Sequence, residues 1–439
     1  MTDWDAIVIG GGFAGTMAAR EISAAGLSVL LVEGRERLGG RTDYRKFADT
    51  DSMIEMGGTY LDDSQPHIKR ETARYGIDLV YPPEPERYIW NLAGTRSEEA
   101  FPVPWEEAVP AEEGLAAIRA AAARLQLEKP HCHQDIDDLD VSIEEFIDRL
   151  SVGPVTRDLL HTWASLYTGT ESDRASALFH LHSIAALGGS PVALAPSLVM
   201  HSGTKSLING IAGDIHGEVR LSTHVSSITQ DAEGVTVTTS TGEELRAKRA
   251  VVALPVNTLA DVTFDPPLSQ AKQELARDRH AGNGYKFFAL VDNVPQAVQA
   301  FGWGAPGGVT FLATDKWIGE HNLLVGFAHA SDGFSPLKID DMQRAVEEYL
   351  PEARVLAVDG FDWNQDPYAR GTWMVPHPGQ LTALTGAHHS DEGHLYFAGA
   401  DFSLRWMTWI EGALETGHEA AQRLVMDLAE SSETAHSAA

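Results

Sequence analysis

The chain is poor in cysteine, in long apolar runs and in basic residues. Its 439 residues include one cysteine, Cys132, so no intramolecular disulfide can form, which fits a reducing cytoplasm. No apolar run approaches the roughly 18 residues that span a bilayer. The acidic start, Met1 to Asp5, leaves no room for a signal peptide. The sequence therefore predicts a cytoplasmic protein without a membrane-spanning segment.

Acidic residues outnumber basic ones, since 63 Asp and Glu face 33 Lys and Arg and leave a formal net charge of −30. Nucleic acids and anionic membranes bind a basic face, so the composition argues against both partners. A negative field would attract cationic small molecules, but solubility alone is the preferred explanation of the charge, because net charge does not say where the field is focused. The length exceeds one simple core and predicts two or three domains.

A glycine-rich turn between a strand and a helix stands near the start of the chain. Residues 5–9 form an apolar run typical of a buried parallel strand, and a helix is predicted over 13–25. Gly10 makes the tight turn, Gly12 lets the backbone approach a pyrophosphate, and Gly15 lets the helix pack on the sheet. The first N–H groups of that helix would face the phosphates.

An acidic residue completes this pattern after the second predicted strand, residues 28–32. Glu33 follows Gly15 by 18 residues, near the roughly 20 expected of an acid that binds a ribose hydroxyl. A carboxylate there would repel a 2′-phosphate, which disfavours NADP. The pattern predicts a dinucleotide-binding βαβ unit, against the alternative of a glycine-rich turn without a ligand.

Two more glycine pairs follow in the same part of the chain. Gly39 and Gly40 precede Arg41, which would bring backbone N–H groups and a guanidinium close to a pyrophosphate. Gly57 and Gly58 end a β segment, where a flat ring could lie against bare backbone. These pairs extend the predicted cofactor site beyond the first turn.

Helical patterns dominate residues 85–195 and are typical of a helical cap. The predicted helices are 113–128, 142–150 with Ser142 as its cap, 155–167 and 174–187. His131, Cys132 and His133 are metal-ligand residue types, but no second cluster completes a zinc site of standard spacing. We interpret them as a loop and predict no metal.

The remainder of the chain alternates between strands and helices. Predicted strands are 219–228, 235–239 and 245–254, and predicted helices are 340–350 and a long one over 409–429. The final residues, 431–439, are predicted to be disordered.

Several of these motifs together resemble the flavin-dependent amine oxidases, over nearly the whole chain. They are the N-terminal turn, Leu38 to Arg41, the Gly57 and Gly58 pair, Phe397 to Gly399 and residues 409–413. Within that family, residues 134–140, 175–178 and 410–416 are similar to the bacterial 6-hydroxynicotine oxidases. The resemblance implies an α/β fold, with a Rossmann-type FAD-binding domain interleaved with an α+β substrate-binding domain. It also implies oxidation of an amine to an imine with release of hydrogen peroxide.

On that fold the chain would pass between the two domains several times. The FAD-binding domain would take residues 1–84, 196–275 and 386–430. The substrate domain would take residues 85–195, which are helical, and 276–385. The disordered tail, 431–439, would follow.

The resemblance implies a set of residues that bind FAD. The ADP half would contact Gly10, Gly12, Gly15, Glu33, Gly40 and Arg41, with the Val225 backbone on the adenine side. The flavin ring would lie against Gly57, Gly58, Thr59 and Tyr60, and the helix that begins at Trp409 and Ile410 would face its C2 carbonyl. Asp401 replaces the usual glutamate, which would shorten its contact with the cofactor. Thr372 replaces the cysteine that attaches FAD in some members, so FAD is expected to be non-covalent.

The resemblance also implies catalytic and substrate-contacting residues. Lys286 matches a lysine that binds flavin N5 through a water, and its apolar surroundings predict a lowered pKa; the alternative is a surface lysine on an edge strand. Trp373 and Trp409 match two upright aromatic residues over the flavin, although either alone could be core packing. A Trp pair favours a flat or aryl substrate. Pocket residues expected from position are Tyr60, Trp163, Leu166, Tyr167, His180, Phe311, Trp317 and Trp373.

Leu166 and Phe311 do not fit a hydroxypyridine substrate, because apolar walls cannot recognise a polar ring. The hypothesis is therefore oxidation of a small aryl or cyclic amine by FAD and O2, with the particular amine left open. One rival is an L-amino-acid oxidase, which needs an arginine for the carboxylate; Arg174, Arg370 and Arg405 are available. Others are an amine dehydrogenase with a different acceptor and a non-catalytic flavin-binding protein. A homodimer is compatible with the sequence.

Overall fold

The computed structural model describes residues 3–189, 198–303, 308–329 and 333–438. Within these ranges no helix has the length and hydropathy needed to cross a membrane. The strands there are β1 (Trp4–Ile9), β2 (Val29–Val32), β3 (Tyr44–Lys46), β4 (Met53–Glu55), β5 (Leu79–Val80), β6 (Arg87–Leu92), β7 (Thr95–Ser97), β8 (Val199–Met200), β9 (Glu218–Arg220), β10 (Val225–Asp231), β11 (Gly234–Thr239), β12 (Glu244–Val252), β13 (Thr263–Asp265), β14 (Tyr285–Asp292), β15 (Val298–Gly302), β16 (Val309–Ile318), β17 (His321–Ala328), β18 (Arg354–Gly360) and β19 (Leu395–Phe397). The helices are α1 (Phe13–Ala24), α2 (Pro66–Arg74), α3 (Ala108–Ala122), α4 (Ile143–Asp148), α5 (Pro154–Thr168), α6 (Ala177–Ala186), α7 (Thr204–Gly213), α8 (Gln270–Asp278), α9 (Ile339–Glu347), α10 (Gln380–His388) and α11 (Ile410–Ala438).

The larger sheet has the strand order β13-β10-β11-β12-β1-β2-β9, with β19 also paired to β12. Its central strand β1 is parallel to both β12 and β2. Ala6, Ile7 and Val8 are fully buried, as predicted for a strand covered on both faces. Because parallel strands bring their carboxyl ends to one edge, the turn after β1 meets Glu33 at the end of β2.

The smaller sheet has the strand order β18-β14-β17-β16-β15-β6-β7 and is antiparallel except where β15 pairs with β6. Its strands come from residues 87–97 and 285–360, whereas the larger sheet uses residues 4–32, 218–265 and 395–397. Each sheet is thus assembled from distant parts of the chain. The predicted α/β fold with an interleaved second domain is confirmed.

The helical cap packs between these layers. Buried residues of α3 to α6 join those of both sheets in one hydrophobic core. Ser142 caps α4 as predicted, since its hydroxyl accepts a hydrogen bond from Glu145 N at 3.0 Å. His131 to His133 form a short 3₁₀ turn, in which His131 Nε2 lies 3.1 Å from Nδ1 of His182. Among the described residues, no three His, Cys, Asp or Glu side chains come together as metal ligands.

The predicted strand 219–228 is wrong, because the structure divides it into β9 and β10. β9 pairs with β2, whereas β10 pairs with β11 and β13. Ser222, at φ 52°, turns the chain between them. Ser222 N and Thr223 N donate to the carbonyl oxygens of Arg35 and Glu33, at 2.8 Å each. The break therefore fastens this segment to the end of β2.

Two helix boundaries also differ from the predictions. α3 spans Ala108–Ala122 rather than 113–128. Pro110 is tolerated in its first turn, where an N–H is not needed, and beyond Ala122 the chain continues in turns. α11 extends to Ala438, through the residues predicted to be disordered. Residues 431–439 include three alanines, which are strong helix formers, and no glycine or proline.

Candidate active site

A cavity of about 1100 Å³ runs between the two sheets. Its volume lies just above the roughly 300–1,000 Å³ of a site for one drug-sized ligand, so it has room for a large cofactor and a small substrate. Most of the predicted site residues line it: Gly10, Gly12, Glu33, Gly40, Arg41, Gly57, Gly58, Thr59, Tyr60, Leu166, Tyr167, Val225, Lys286, Phe311, Trp373, Trp409 and Ile410.

Glu33 holds the turn at one end of the cavity. Its Oε2 accepts a hydrogen bond from Gly11 N at 2.6 Å, and its Oε1 accepts one from Arg35 N at 2.8 Å. A carboxylate accepts about two bonds per oxygen, so each oxygen can still accept from a ribose hydroxyl. The geometry fits the predicted role of this acid.

The glycines leave bare backbone beside that acid. A Cβ on Gly40, whose φ is +57°, would lie 3.1 Å from the Gly12 Cα, so side chains at this point would fill the space between the two segments. Gly15 does not line the cavity; a Cβ there would lie 1.9 Å from the Gly10 carbonyl oxygen, which shows that it serves the packing of α1 on the turn.

Arg41 is held in the middle of the cavity by Asp401. Its Nη2 donates to Asp401 Oδ1 at 2.6 Å, and its Nη1 donates to the Thr372 carbonyl oxygen at 3.1 Å. Asp401 is fully buried and is absent from the cavity lining, and its Oδ2 accepts from Val256 N at 3.0 Å. Asp401 therefore orients Arg41 and does not face the cavity. The sequence analysis had suggested instead that Asp401 contacts the cofactor.

A segment that sequence reasoning missed closes the Glu33 end of the cavity. Tyr368 packs against Gly34, where a Cβ would lie 2.3 Å from the ring, and the Arg35 guanidinium sits 5.2 Å from the ring centroid. Asp366 accepts from Arg35 Nη2 at 2.5 Å and from Tyr368 N at 2.8 Å. The ring also contacts His224 edge to face at 5.6 Å. The Asp-Pro pair before Tyr368 is a sequence signal for a turn. No local sequence feature indicated that this turn packs against Gly34 and Arg35.

We expect Tyr368→Ala to weaken FAD binding by about tenfold, because an aromatic contact contributes roughly 0.5–1.5 kcal/mol beyond its area. The measurement is quenching of flavin fluorescence as apoprotein is titrated with FAD and, separately, with FMN. FMN lacks adenosine, so its affinity should not change. Tyr81→Ala is the control, since Tyr81 lines the cavity from the exposed loop between β5 and β6. An equal loss of FMN affinity would refute an adenosine contact.

Lys286 reaches the cavity from the buried face of β14 and is 5% exposed. Its ammonium donates to the Gly57 carbonyl oxygen at 3.1 Å and to the Thr59 hydroxyl. Burial lowers the pKa of Lys286 to about 8, although Glu55 and Asp315 oppose the shift. The predicted lowering of this pKa is in agreement with the structure.

Glu55, which the sequence analysis did not single out, stands behind Lys286. It accepts hydrogen bonds from Thr204 N at 3.0 Å, from the Thr204 hydroxyl at 2.6 Å and from Asp43 N at 3.0 Å. Burial raises the pKa of Glu55, while those bonds and the Lys286 charge lower it. The sequence did contain a signal for Glu55, because it is an acid at the end of a strand and lies two residues before a glycine pair.

The two tryptophans line the cavity near Lys286. Trp373 donates from Nε1 to the Tyr167 carbonyl oxygen at 2.8 Å and contacts Phe327 edge to face at 6.2 Å. Trp409 immediately precedes α11, so that the N-terminus of this helix reaches the cavity. Both residues line the cavity, and their arrangement as an aromatic cage over the flavin stays a prediction.

Three predicted pocket residues lie outside the lining. Trp163 is 3% exposed within the core of the helical cap. His180 stands behind Tyr167, with ring centroids 5.6 Å apart, and burial lowers its pKa to about 4. Trp317 lies near the turn between β16 and β17 and is 40% exposed. Their spacing in the sequence did not reveal which side of each element faces the cavity.

The lining fits a flavin dinucleotide. Bare backbone at Gly12 and Gly40, the N-terminus of α1 and the oriented Arg41 suit a pyrophosphate. At Gly58 a Cβ would approach nothing closer than 3.7 Å, which leaves an open surface for a flat ring. Cys132, the sole cysteine of the sequence, is absent from the lining, so it offers no thiol for attachment.

This fold and this lining define a two-domain flavoprotein. The family described as flavin containing amine oxidoreductase matches residues 13–425. The chain therefore belongs to the flavin-containing amine oxidoreductases; it is an enzyme, and its cofactor is non-covalent FAD.

Similar proteins agree with this assignment. The (S)-6-hydroxynicotine oxidase of Paenarthrobacter nicotinovorans is 35% identical over 427 residues, which cover 96% of this chain and 99% of that protein. A pseudooxynicotine dehydrogenase of Pseudomonas sp is 33% identical over 95% of this chain and 85% of that protein. Among solved structures, cyclohexylamine oxidase from Brevibacterium oxydans superposes with a TM-score of 0.85 at 23% identity, over 97% of this chain and 99% of that one.

Proposed function

We propose that this enzyme oxidises a small aryl or cyclic amine to its imine or iminium ion, with O2 as the acceptor. The observation that carries the proposal is an aromatic compartment beside the buried Lys286. Its largely apolar walls come from α5, β16, β17 and the segments before α10 and α11: Leu166, Tyr167, Phe311, Phe327, Trp373 and Trp409.

These walls suit a flat or cyclic group. Indole and phenyl faces offer broad contact to a ring and attract a cationic amine during its approach. The same apolar surroundings favour the neutral amine over the ammonium ion, because burying an unpaired charge is costly. Relatives named for nicotine-type substrates support an amine that bears a ring.

The reaction needs few groups from the protein. Bound FAD supplies a two-electron acceptor for the hydride of the C–H bond next to nitrogen. Overall, the amine and O2 become the imine and H2O2. The chain itself must bind the neutral amine between aromatic walls and exclude water. Lys286 contributes a buried positive charge next to Thr59.

An L-amino-acid oxidase is less well supported. Among the described residues that line the cavity the arginines are Arg35 and Arg41, and both pair with carboxylates. The three arginines considered from the sequence, Arg174, Arg370 and Arg405, are absent from the lining. Arg370 is paired with Asp261, and Arg405 is paired with Glu128. A substrate carboxylate would therefore find no free guanidinium there.

A peroxide-coupled screen of the purified FAD-loaded protein tests the proposal. We expect peroxide from aryl-alkylamines or cyclic amines and none from common amino acids. Bleaching of the flavin by an amine without oxygen, but no peroxide in air, would identify a dehydrogenase with another acceptor. Peroxide from amino acids alone would refute the proposed substrate class. A flavin that no amine of the panel bleaches would refute the proposed substrate class.

A further inference from the structure

A carboxylate stands in the cavity wall that the smaller sheet provides. Asp315 lies on β16, where the pairing with β17 slips between Thr314 and Lys316, so Asp315 is the extra residue of a β-bulge. Bulges commonly re-aim a side chain beside an active site. Here Asp315 lines the cavity together with Phe311 and Ala313 of the same strand.

The protein leaves this carboxylate incompletely paired. Its Oδ2 is buried, and the described residues donate no hydrogen bond to it. Lys316 is its ion-pair neighbour, with Nζ 3.3 Å from Oδ2, but that ammonium donates to the Met53 carbonyl oxygen at 2.7 Å. Beyond this ion pair, Oδ2 receives no hydrogen bond from the described residues, so it can still accept one from a donor that a ligand supplies.

Asp315 also lies within electrostatic reach of the reacting end of the cavity. Burial lowers the pKa of Lys286, and the negative charge of Asp315 opposes that lowering. Burial raises the pKa of Tyr60, and the charge of Asp315 raises it further. The lining from this sheet also includes the apolar Phe311, Val325 and Phe327 and the polar Gln299, Thr314 and Lys316. One cavity therefore contains an aromatic compartment and, on its wall, a carboxylate whose buried Oδ2 has Lys316 as its ion-pair partner and receives no hydrogen bond from the described residues.

We infer that the substrate carries a second basic nitrogen, away from the carbon that is oxidised, and that Asp315 binds this nitrogen as an ammonium ion. The inference rests on the proposed function. The two ends of such a substrate are recognised differently, since the aromatic walls select a neutral amine and the carboxylate selects a charged one. Hydrogen bonds between an ammonium and a carboxylate are about twice as strong as neutral ones.

Three para-substituted benzylamines test the assignment: 4-(aminomethyl)benzylamine, 4-methylbenzylamine and 4-(aminomethyl)benzoic acid. We expect kcat/KM of the FAD-loaded enzyme to be at least about tenfold higher for the diamine than for the methyl compound. Asp315→Asn should remove that advantage, so that the ratio of kcat/KM for the diamine to kcat/KM for the methyl compound falls to about one. Glu84→Gln is the matched control, because Glu84 is an exposed carboxylate that lines the same cavity; it should leave the ratio unchanged.

Each other result has a definite meaning. Equal use of the diamine and the methyl compound, or a diamine preference that survives Asp315→Asn, would overturn the inference. A preference for the benzoic acid would overturn it as well and assign specificity to Lys316. If no compound is oxidised, the proposed function fails for this class, and calorimetric titration still tests Asp315. Tighter diamine binding that Asp315→Asn abolishes would support the carboxylate site, and unchanged binding would refute it.

Discussion

Lys286→Met should slow the oxygen step of this enzyme by about 10²–10³-fold while FAD remains bound. Removing one preorganised charged or hydrogen-bonding group from a buried site typically has an effect of this size. Methionine fills the same volume without the ammonium, so the cavity wall should persist. Stopped-flow absorbance would follow anaerobic reduction by an amine and then reoxidation on mixing with O2. We expect reduction to change by less than about threefold.

The pH dependence of the oxygen step distinguishes the effect of the Lys286 charge from the effect of its side-chain shape. Burial lowers the pKa of Lys286 to about 8, so the ammonium loses its proton as the pH rises through that value. In the wild-type enzyme the oxygen step should therefore slow above about pH 8. Lys286→Arg keeps its charge, since arginine is not deprotonated in proteins, and should remove this decline. Reoxidation of the Met variant at the wild-type rate would exclude Lys286 from the step.

Asp401→Ala should destabilise the protein by about 3 kcal/mol and weaken FAD binding. Loss of one partner from a buried ion pair costs about 3–5 kcal/mol, and Arg41 retains some solvent contact, which favours the lower value. Val256 N would lose its acceptor as well. The thermal midpoints of apoprotein and FAD-loaded protein, with the FAD dissociation constant, measure both effects.

Two further variants identify the cause. Asp401→Asn keeps an oxygen acceptor and should lie between the wild type and Asp401→Ala. Arg41→Met combined with Asp401→Ala should cost less than the sum of the single changes, because no unpaired guanidinium remains. Burial alone would raise the pKa of Asp401, but Arg41 and the hydrogen bonds of Asp401 lower it. The stabilisation of the folded protein by this ion pair is therefore present above about pH 4 and is lost at lower pH. An unchanged midpoint and FAD affinity in Asp401→Ala would refute the argument.

Local geometry explains which parts of the site could be predicted from the sequence. The turn after β1 and Glu33 are separated by one helix and one strand, and their spacing is set by the βαβ unit itself. Lys286 was recognisable through the resemblance, because an apolar strand around a lysine is by itself equally compatible with a surface lysine on an edge strand. The resemblance placed Trp373 and Trp409, whose positions within short motifs do not depend on distant packing.

Contacts between distant segments could not be predicted in this way. Asp401 meets Arg41 across 360 residues of chain, and Tyr368 meets Gly34 across a similar distance, with no periodicity to indicate either. Trp317 and Trp373 are the same residue type, yet the turn after β16 exposes the first, whereas the second faces the cavity. The β-bulge at Asp315 depends on the pairing of β16 with β17, which only the folded sheet shows.

The interleaved sheets also determine when the enzyme can acquire its cofactor during synthesis. β1 needs β12 beside it, and α1 packs against α11 so closely that a Cβ at Gly417 would lie 2.3 Å from the Ala14 carbonyl oxygen. The glycine turn after β1 is therefore complete only once β12 and α11 have been synthesised and have packed against β1 and α1. Until then its apolar strand lacks partners, a state prone to aggregation. We expect FAD to be captured only after this packing.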